Sequence, residues 1–298
     1  MRHTWVLGLL LASASCSEKD PAQPVETGSV NEMVFASDDY TLGPGEEKYI
    51  CWAHDLPADQ DAIIREISGD YGPATHHVFF AWTLIPEPEG MSECPVLFKT
   101  TWIPVYLGGK NTSPLKMPDD AAVDLGRGKQ LVLQLHLQNT SDAPITTHTT
   151  MHMKLGEPGV SYTPAGIYGL DNRAIDIPPD TDDVETSMTC KPGKDMNVFA
   201  TLGHMHKLGK QLTVTKNGDV VVDQVWNFDE QPINPLEMTV TKDDSIGLAC
   251  THKNPLQKTV TYGESSDNEM CATIFFYTPY DQLDGCINAP DPTAPIAE

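Results

Sequence analysis

Ten histidines occur among the 298 residues, and seven of them fall in strand-like runs. His204 and His206 stand two apart, so on a strand both rings point to one face and form a two-nitrogen clamp for a metal. An HxH alone is more often a pair of surface histidines. His76 and His77 are neighbours, which on a regular strand face opposite ways; both can ligate one ion only at a strand end or a bulge. His136 lies in a run where Leu131, Leu133, Leu135 and Leu137 make one face and Gln134, His136 and Gln138 the other. On that polar face a histidine is either solvated or lines a site. Met270 has a polar flank, unusual for a core methionine. A lone Met is usually filler, but a thioether is a soft neutral ligand that suits Cu(I), and beside an HxH strand it would complete a His2Met set. Met205 points away from the HxH face, and Met151 and Met153 share a face with Leu155, so these read as core. His148 and His152 then fall on an exposed face. His54 and His252 have no motif around them.

The elements that must position these groups read as β structure. Short runs such as His76–Leu84, Leu131–Gln138, Thr147–Leu155, Val198–His206, Gln211–Thr215 and Val220–Trp226 are separated by turn clusters. Asn217-Gly218 supplies a type I′ hairpin turn. No window offers a capped helix of three turns. The expected fold is all-β: two tandem antiparallel, jelly-roll-like β-sandwiches over 31–160 and 161–287, divided near Glu157-Pro158-Gly159, with a loose tail at 288–298. The 19 basic against 42 acidic side chains, a net charge of −23, argue against nucleic acid as a partner, since its phosphate backbone needs a basic footprint, and against electrostatic docking on anionic lipid.

The first residues point to export. Trp5 to Ala14 is an uncharged run too short to span a bilayer, which needs about 20 residues. Small residues then lead into Cys16, as in a bacterial lipobox. The expectation is a signal peptide over 1–15, lipidation of Cys16, a flexible tether over 16–30 and a place in the bacterial cell envelope. The only membrane contact would be the N-terminal lipid. Seven cysteines leave six once Cys16 is set aside, and none stands in a CxxC pair. Six cysteines in an oxidising compartment suggest three disulfides among fifteen pairings. The sequons at Asn111 and Asn139 are read as coincidental.

Together these parts resemble the copper type II, ascorbate-dependent monooxygenases, the family of the peptidylglycine α-hydroxylating and dopamine β-monooxygenases. The histidine pair, the Leu-Gln-x-His strand, the HxH strand and the Glu-Met-Cys segment come in the family's order. His204-Met-His-Lys-Leu-Gly-Lys210 resembles its HxH-x-L-G-K strand, and Ser265-Ser-Asp-Asn-Glu-Met-Cys271 its S-x-D-E-M-C segment. Gly247-Leu-Ala-Cys250 and Ile177-Pro-Pro179 also have counterparts, so the resemblance runs from about Cys51 to Cys286. It implies two coppers: an electron-storing ion on His76, His77 and His136, and an oxygen- and substrate-binding ion on His204, His206 and Met270. It further implies bridges Cys51–Cys94, Cys190–Cys286 and Cys250–Cys271, with dioxygen as co-substrate and ascorbate or another one-electron donor as reductant.

The resemblance stops at the substrate. The peptide-hydroxylating branch anchors a carboxylate with an Arg and a Tyr where this chain has Leu202 and Ile274, and Ala272 replaces a nearby Asn. Loss of a buried charged clamp disfavours a C-terminal carboxylate and suits a small apolar or neutral substrate. Three function classes follow. The chain is read first as a monooxygenase, second as a non-catalytic envelope lipoprotein that buffers copper, and third as a structural double sandwich with incidental histidines.

Overall fold

A computed structural model of the protein describes residues 31–56, 62–94, 99–126 and 129–288. The expected signal segment, Cys16, the tether and the tail beyond Asn288 lie outside them. Among the described residues every regular element is a strand.

The first half stacks two sheets. One runs in the order Glu32–Ala36, Thr150–Leu155, Ile63–Asp70, Ala121–Asp124, Thr163–Pro164, with Leu115–Lys116 also paired to Ile63–Asp70. The other runs Gly90–Glu93, Glu47–Asp55, Gln130–Gln138, Thr75–Thr83, Trp102–Gly109. Between them Phe35 packs on Trp52 and Phe80, with ring centroids 4.3 and 5.6 Å away. Met151 and Met153 lie in this core, as expected from their spacing.

The second half repeats the plan. Asn234–Val240, Met196–Met205, Cys271–Thr278, Gly166–Asn172 and Asp284–Asn288 form one sheet. Thr181–Cys190, Ile246–Asn254, Gly209–Lys216 and Asp219–Val225 form the other. Asn217 and Gly218 both have positive φ, 53° and 93°, as the hairpin turn requires.

Three details go beyond the sequence expectation. The pairing is antiparallel except at two places, Thr163–Pro164 on Ala121–Ala122 and Asp284–Asn288 on Tyr168–Asn172. Because Thr163–Pro164 still belongs to the first half, the chain crosses over between Pro164 and Gly166. The polar face of Gln130–Gln138 is also covered: Val132, Gln134 and His136 are as buried as the leucines opposite. That face packs beneath the Cys51–Cys94 segment and against the second half, so type alternation along this strand does not translate into exposure.

The two cores merge. Ile167, Ala200, Leu202, Ile233 and Phe276 from the second half join the core cluster of the first. Each of the Ile, Leu and Phe side chains among them contributes about 1.5–3 kcal/mol, enough to seat the halves firmly. Asn139 is wholly buried, its amide donating to the carbonyls of Gly43 and Ala143 at 2.9 and 2.8 Å, so this sequon is a structural turn.

Three disulfides join Cys51 to Cys94, Cys190 to Cys286 and Cys250 to Cys271, the pairing that the family resemblance implies. The last two staple the sheets of the second half to each other, and Cys250–Cys271 does so next to Met270. The alanine pair Cys250→Ala with Cys271→Ala releases a 21-residue loop, and denaturant unfolding should show a loss of about 3 kcal/mol.

Candidate metal centre

The strand Thr75–Thr83 pairs with Gln130–Gln138 in register as far as His77 opposite His136, and then Thr75 faces Leu137. His76 is the extra residue of a β-bulge. The bulge lets two consecutive rings turn to the same side, the condition under which adjacent histidines can share an ion. The Nδ1 atom of His76 lies 3.1 Å from that of His77 and 3.3 Å from that of His136. His136 is wholly buried and donates its other nitrogen, Nε2–H, to Glu47 Oε1 at 2.7 Å. That bond fixes the tautomer and leaves the Nδ1 lone pair facing its two neighbours. Tyr49 stacks on the same ring at 4.3 Å and 9°.

On the other side of the interface, His204 is the penultimate residue of the Met196–Met205 strand. Its Nδ1 lies 2.8 Å from Gln231 Oε1, so this nitrogen carries the proton and Nε2 is left as a lone pair. His206 follows the strand; its Nδ1 donates to the Asn268 carbonyl at 3.2 Å, and its Nε2 is buried with no hydrogen-bond partner. A lone pair withdrawn from water and offered no donor is costly unless a cation meets it. Met205 pairs with Cys271 in the antiparallel ladder, so the register carries Met270 to the position across from His206.

The residue before that methionine was not singled out in the sequence. Glu269 is fully buried and accepts the backbone N–H of His206, of Leu208 at 2.9 Å and of Met270 at 2.9 Å. One carboxylate thereby ties the segment after the HxH strand to the segment that bears the thioether. Gln231 and Phe228 were missed as well. Phe228 stacks on His76 at 4.2 Å, and the backbone carbonyl of Gln231 accepts Thr112 Oγ1 from the first half at 2.7 Å. His252, set aside for want of a motif, is buried with Nε2 3.1 Å from Thr186 Oγ1 and its Nδ1 4.0 Å from Glu269. Only the Glu-Met adjacency carried any sequence signal for these residues. His148 and His152 lie on the outer side beside surface carboxylates, away from both sets.

The two sets touch. The rings of His77 and His204 are 5.1 Å apart, and His76 is 6.2 Å from both His204 and His206. Sequence spacing assigned them to separate halves and did not place them side by side. Burial is the largest cause that pushes His76 down to about 2, His204 to about 4, His206 to about 3 and His77 well below its ordinary 6.5, and the neighbouring imidazoles add to it. At neutral pH all four are therefore unprotonated, the form a metal needs.

A cavity of about 350 Å³ opens from this centre between the halves, with His77, His204 and Met270 on its lining. Its walls are apolar: Phe79 and Leu107 from the first half, Ile167, Leu170 and Ile274 from the second. Ile274 and Ala272 line it, whereas Leu202 turns into the shared core at 1% exposure and does not. At one end Asp171, Arg173, Tyr262 and Glu264 supply the polar groups; burial raises Glu264 to about 7.

Fold and site together define a double β-sandwich with two imidazole sets, one accompanied by a thioether, meeting at the seam. Residues 163–295 match the family described as copper type II ascorbate-dependent monooxygenase, C-terminal domain. Among curated proteins, the chain is 24% identical over 241 residues to a DBH-like monooxygenase protein 2 of Homo sapiens, covering 68% of this chain and 46% of that protein. It is 24% identical over 205 residues to its Mus musculus counterpart, covering 59% and 32%. The chain thus spans less than half the length of these relatives. A solved structure of infectious bursal disease virus Gx strain covers 86% of this chain and 75% of its own at 10% identity, and its TM-score of 0.19 carries no argument.

The metal-free protein should lose stability on mild acidification. His76, His77, His204, His206 and His252 have folded values depressed below 6.5. As pH falls through 6.5 the unfolded chain takes up protons there that the folded chain refuses. Asp171, Glu264 and Glu269 are raised and act in the opposite sense, adding stability that is lost as pH rises. Five imidazoles outnumber three carboxyls, so the melting temperature in chelator should drop between pH 7 and pH 5. A rise across that window would contradict the buried neutral centre.

Proposed function

We propose that this chain is a copper-dependent monooxygenase that hydroxylates a C–H bond of a small apolar or neutral substrate, using dioxygen and a one-electron reductant such as ascorbate. The overall change is RH + O2 + 2 e− + 2 H+ → ROH + H2O. The observation that carries this reading is the placement of His77, His204 and Met270 on one apolar cavity. Buffering copper requires ligands but no room beside them for an organic molecule.

Copper, when bound, supplies one-electron steps and the activation of dioxygen toward an unreactive C–H bond. His76, His77 and His136 would hold one ion with three neutral nitrogens, a set suited to storing an electron. His204, His206 and Met270 would hold the other, where the soft thioether favours the reduced ion. Glu47 and Gln231 fix the tautomers of His136 and His204. Glu269 holds the backbone on either side of the thioether site in place. Phe79, Leu107 and Ile274 exclude water and present the substrate's apolar body to that site. At the polar end of the cavity Arg173 donates Nε–H to Asp171 Oδ2 at 2.7 Å, so that cation already has a carboxylate partner within the protein. An N-terminal lipid on Cys16 would hold the enzyme at the bacterial envelope.

Reduced protein should bind two equivalents of copper, with a sulfur scatterer at one of them by X-ray absorption. Adding that copper should start oxygen-dependent ascorbate consumption. Met270→Leu should remove the sulfur signal and lower turnover by more than the roughly 10–100-fold that loss of an outer-shell partner costs. Copper bound without any oxygen-dependent turnover would favour storage instead. Neutral aliphatic or aromatic compounds should be hydroxylated faster than peptides ending in Gly; the reverse order would refute the substrate class.

A further inference from the structure

One oxygen atom of the first half receives three donors from both halves. Glu47 Oε1 accepts His136 Nε2–H at 2.7 Å, the backbone N–H of Ser266 at 3.0 Å and the Ser266 hydroxyl at 3.1 Å. His136 is 0% exposed and Ser266 2%, so neither donor residue can turn to water instead. Two residues along the same strand face, Tyr49 stacks on His136 and donates its hydroxyl to the Glu264 carbonyl at 2.8 Å. The segment 264–266 is thus fastened twice to the Glu47–Asp55 strand. It runs directly into Glu269 and Met270, where the Glu269 carboxylate grips the backbone of His206 and Leu208.

We propose that Glu47 is a positioning residue that couples the two metal sites: by holding His136 and Ser266 on one oxygen, it makes filling of the all-nitrogen set and ordering of the Met270 segment a single event. A cation on His136 Nδ1 makes the Nε2–H a stronger donor, which tightens its bond to Glu47 and fixes the carboxylate in the orientation Ser266 needs. Glutamine at this place keeps one acceptor oxygen but loses the charge that strengthens all three bonds. The proposal rests on the reading of His76, His77 and His136 as metal ligands.

The test separates the two. In the full chain carrying His204→Ala, so that the first-half histidines form the remaining complete set, Cu(I) is added without oxygen. Hydrogen exchange at residues 264–270 is then followed by mass spectrometry. Copper should bind and slow exchange there by about tenfold, the scale of one charge-assisted hydrogen bond. With Glu47→Gln added, copper should still bind but the slowing should vanish, and metal-free exchange at 264–270 should already be faster than in the Glu47 protein. Equal slowing with and without Glu47 would overturn the coupling and leave the metal reading intact. No copper bound in the Glu47 protein would overturn the metal reading and the coupling with it. Should Glu47→Gln fail to fold, Ser266→Ala removes only the hydroxyl bond; it should weaken the slowing by about threefold, and an unchanged value would count equally against the proposal. X-ray absorption of the copper-loaded pair gives a second readout, since a released His136 ring changes the nitrogen shell whereas a general loss of stability does not.

Discussion

Imidazoles packed against one another away from water can persist only uncharged, and that requirement organises much of the molecule. Four rings from the two sandwiches, His76, His77, His204 and His206, meet at the seam, and burial together with neighbouring imidazoles disfavours a proton on each of them. The protein meets the condition with acceptors placed behind the rings. Glu47, Gln231 and the Asn268 carbonyl each accept a hydrogen bond from the outer N–H, so the inner nitrogen is presented as a lone pair. The sandwich edges, the bulge at His76 and the register that brings Met270 opposite His206 all serve to place those acceptors and lone pairs.

Seating the halves is the second part of the same device. Leu202, Ile233 and Phe276 from one half are buried in the core of the other, and Thr112, Tyr49 and Glu47 reach across with hydrogen bonds. These contacts set the spacing of rings that belong to different sheets. The same seam leaves an apolar space beside the thioether, lined from both sides.

Much of the fold was legible in the residues because alternation, turn chemistry and the β-bulge requirement are local rules. The Asn217-Gly218 turn and the core methionines follow from such rules, and the adjacency of His76 and His77 implied an irregularity that the ladder contains. The crossing point after Pro164 and the two parallel pairings were not legible, because they depend on which sheet edge a short segment meets. Burial of Gln134 and His136 escaped for a related reason: alternation tells which residues share a face, but only the tertiary arrangement decides whether water reaches it. Of the site, the donor side chains were visible by type and spacing. Their supporting groups were not: Glu47 and Gln231 sit in segments with no motif, and their role arises from contacts more than 25 residues distant in sequence.

A cavity with one wall on each sandwich has a width that no single domain controls. Small adjustments in how the sandwiches seat, made at shared-core residues such as Ile233 or Phe276, would resize the chamber without replacing a ligand. Divergence among proteins built this way can therefore proceed through the joint rather than the metal cage, keeping the chemistry constant while the accepted guest changes.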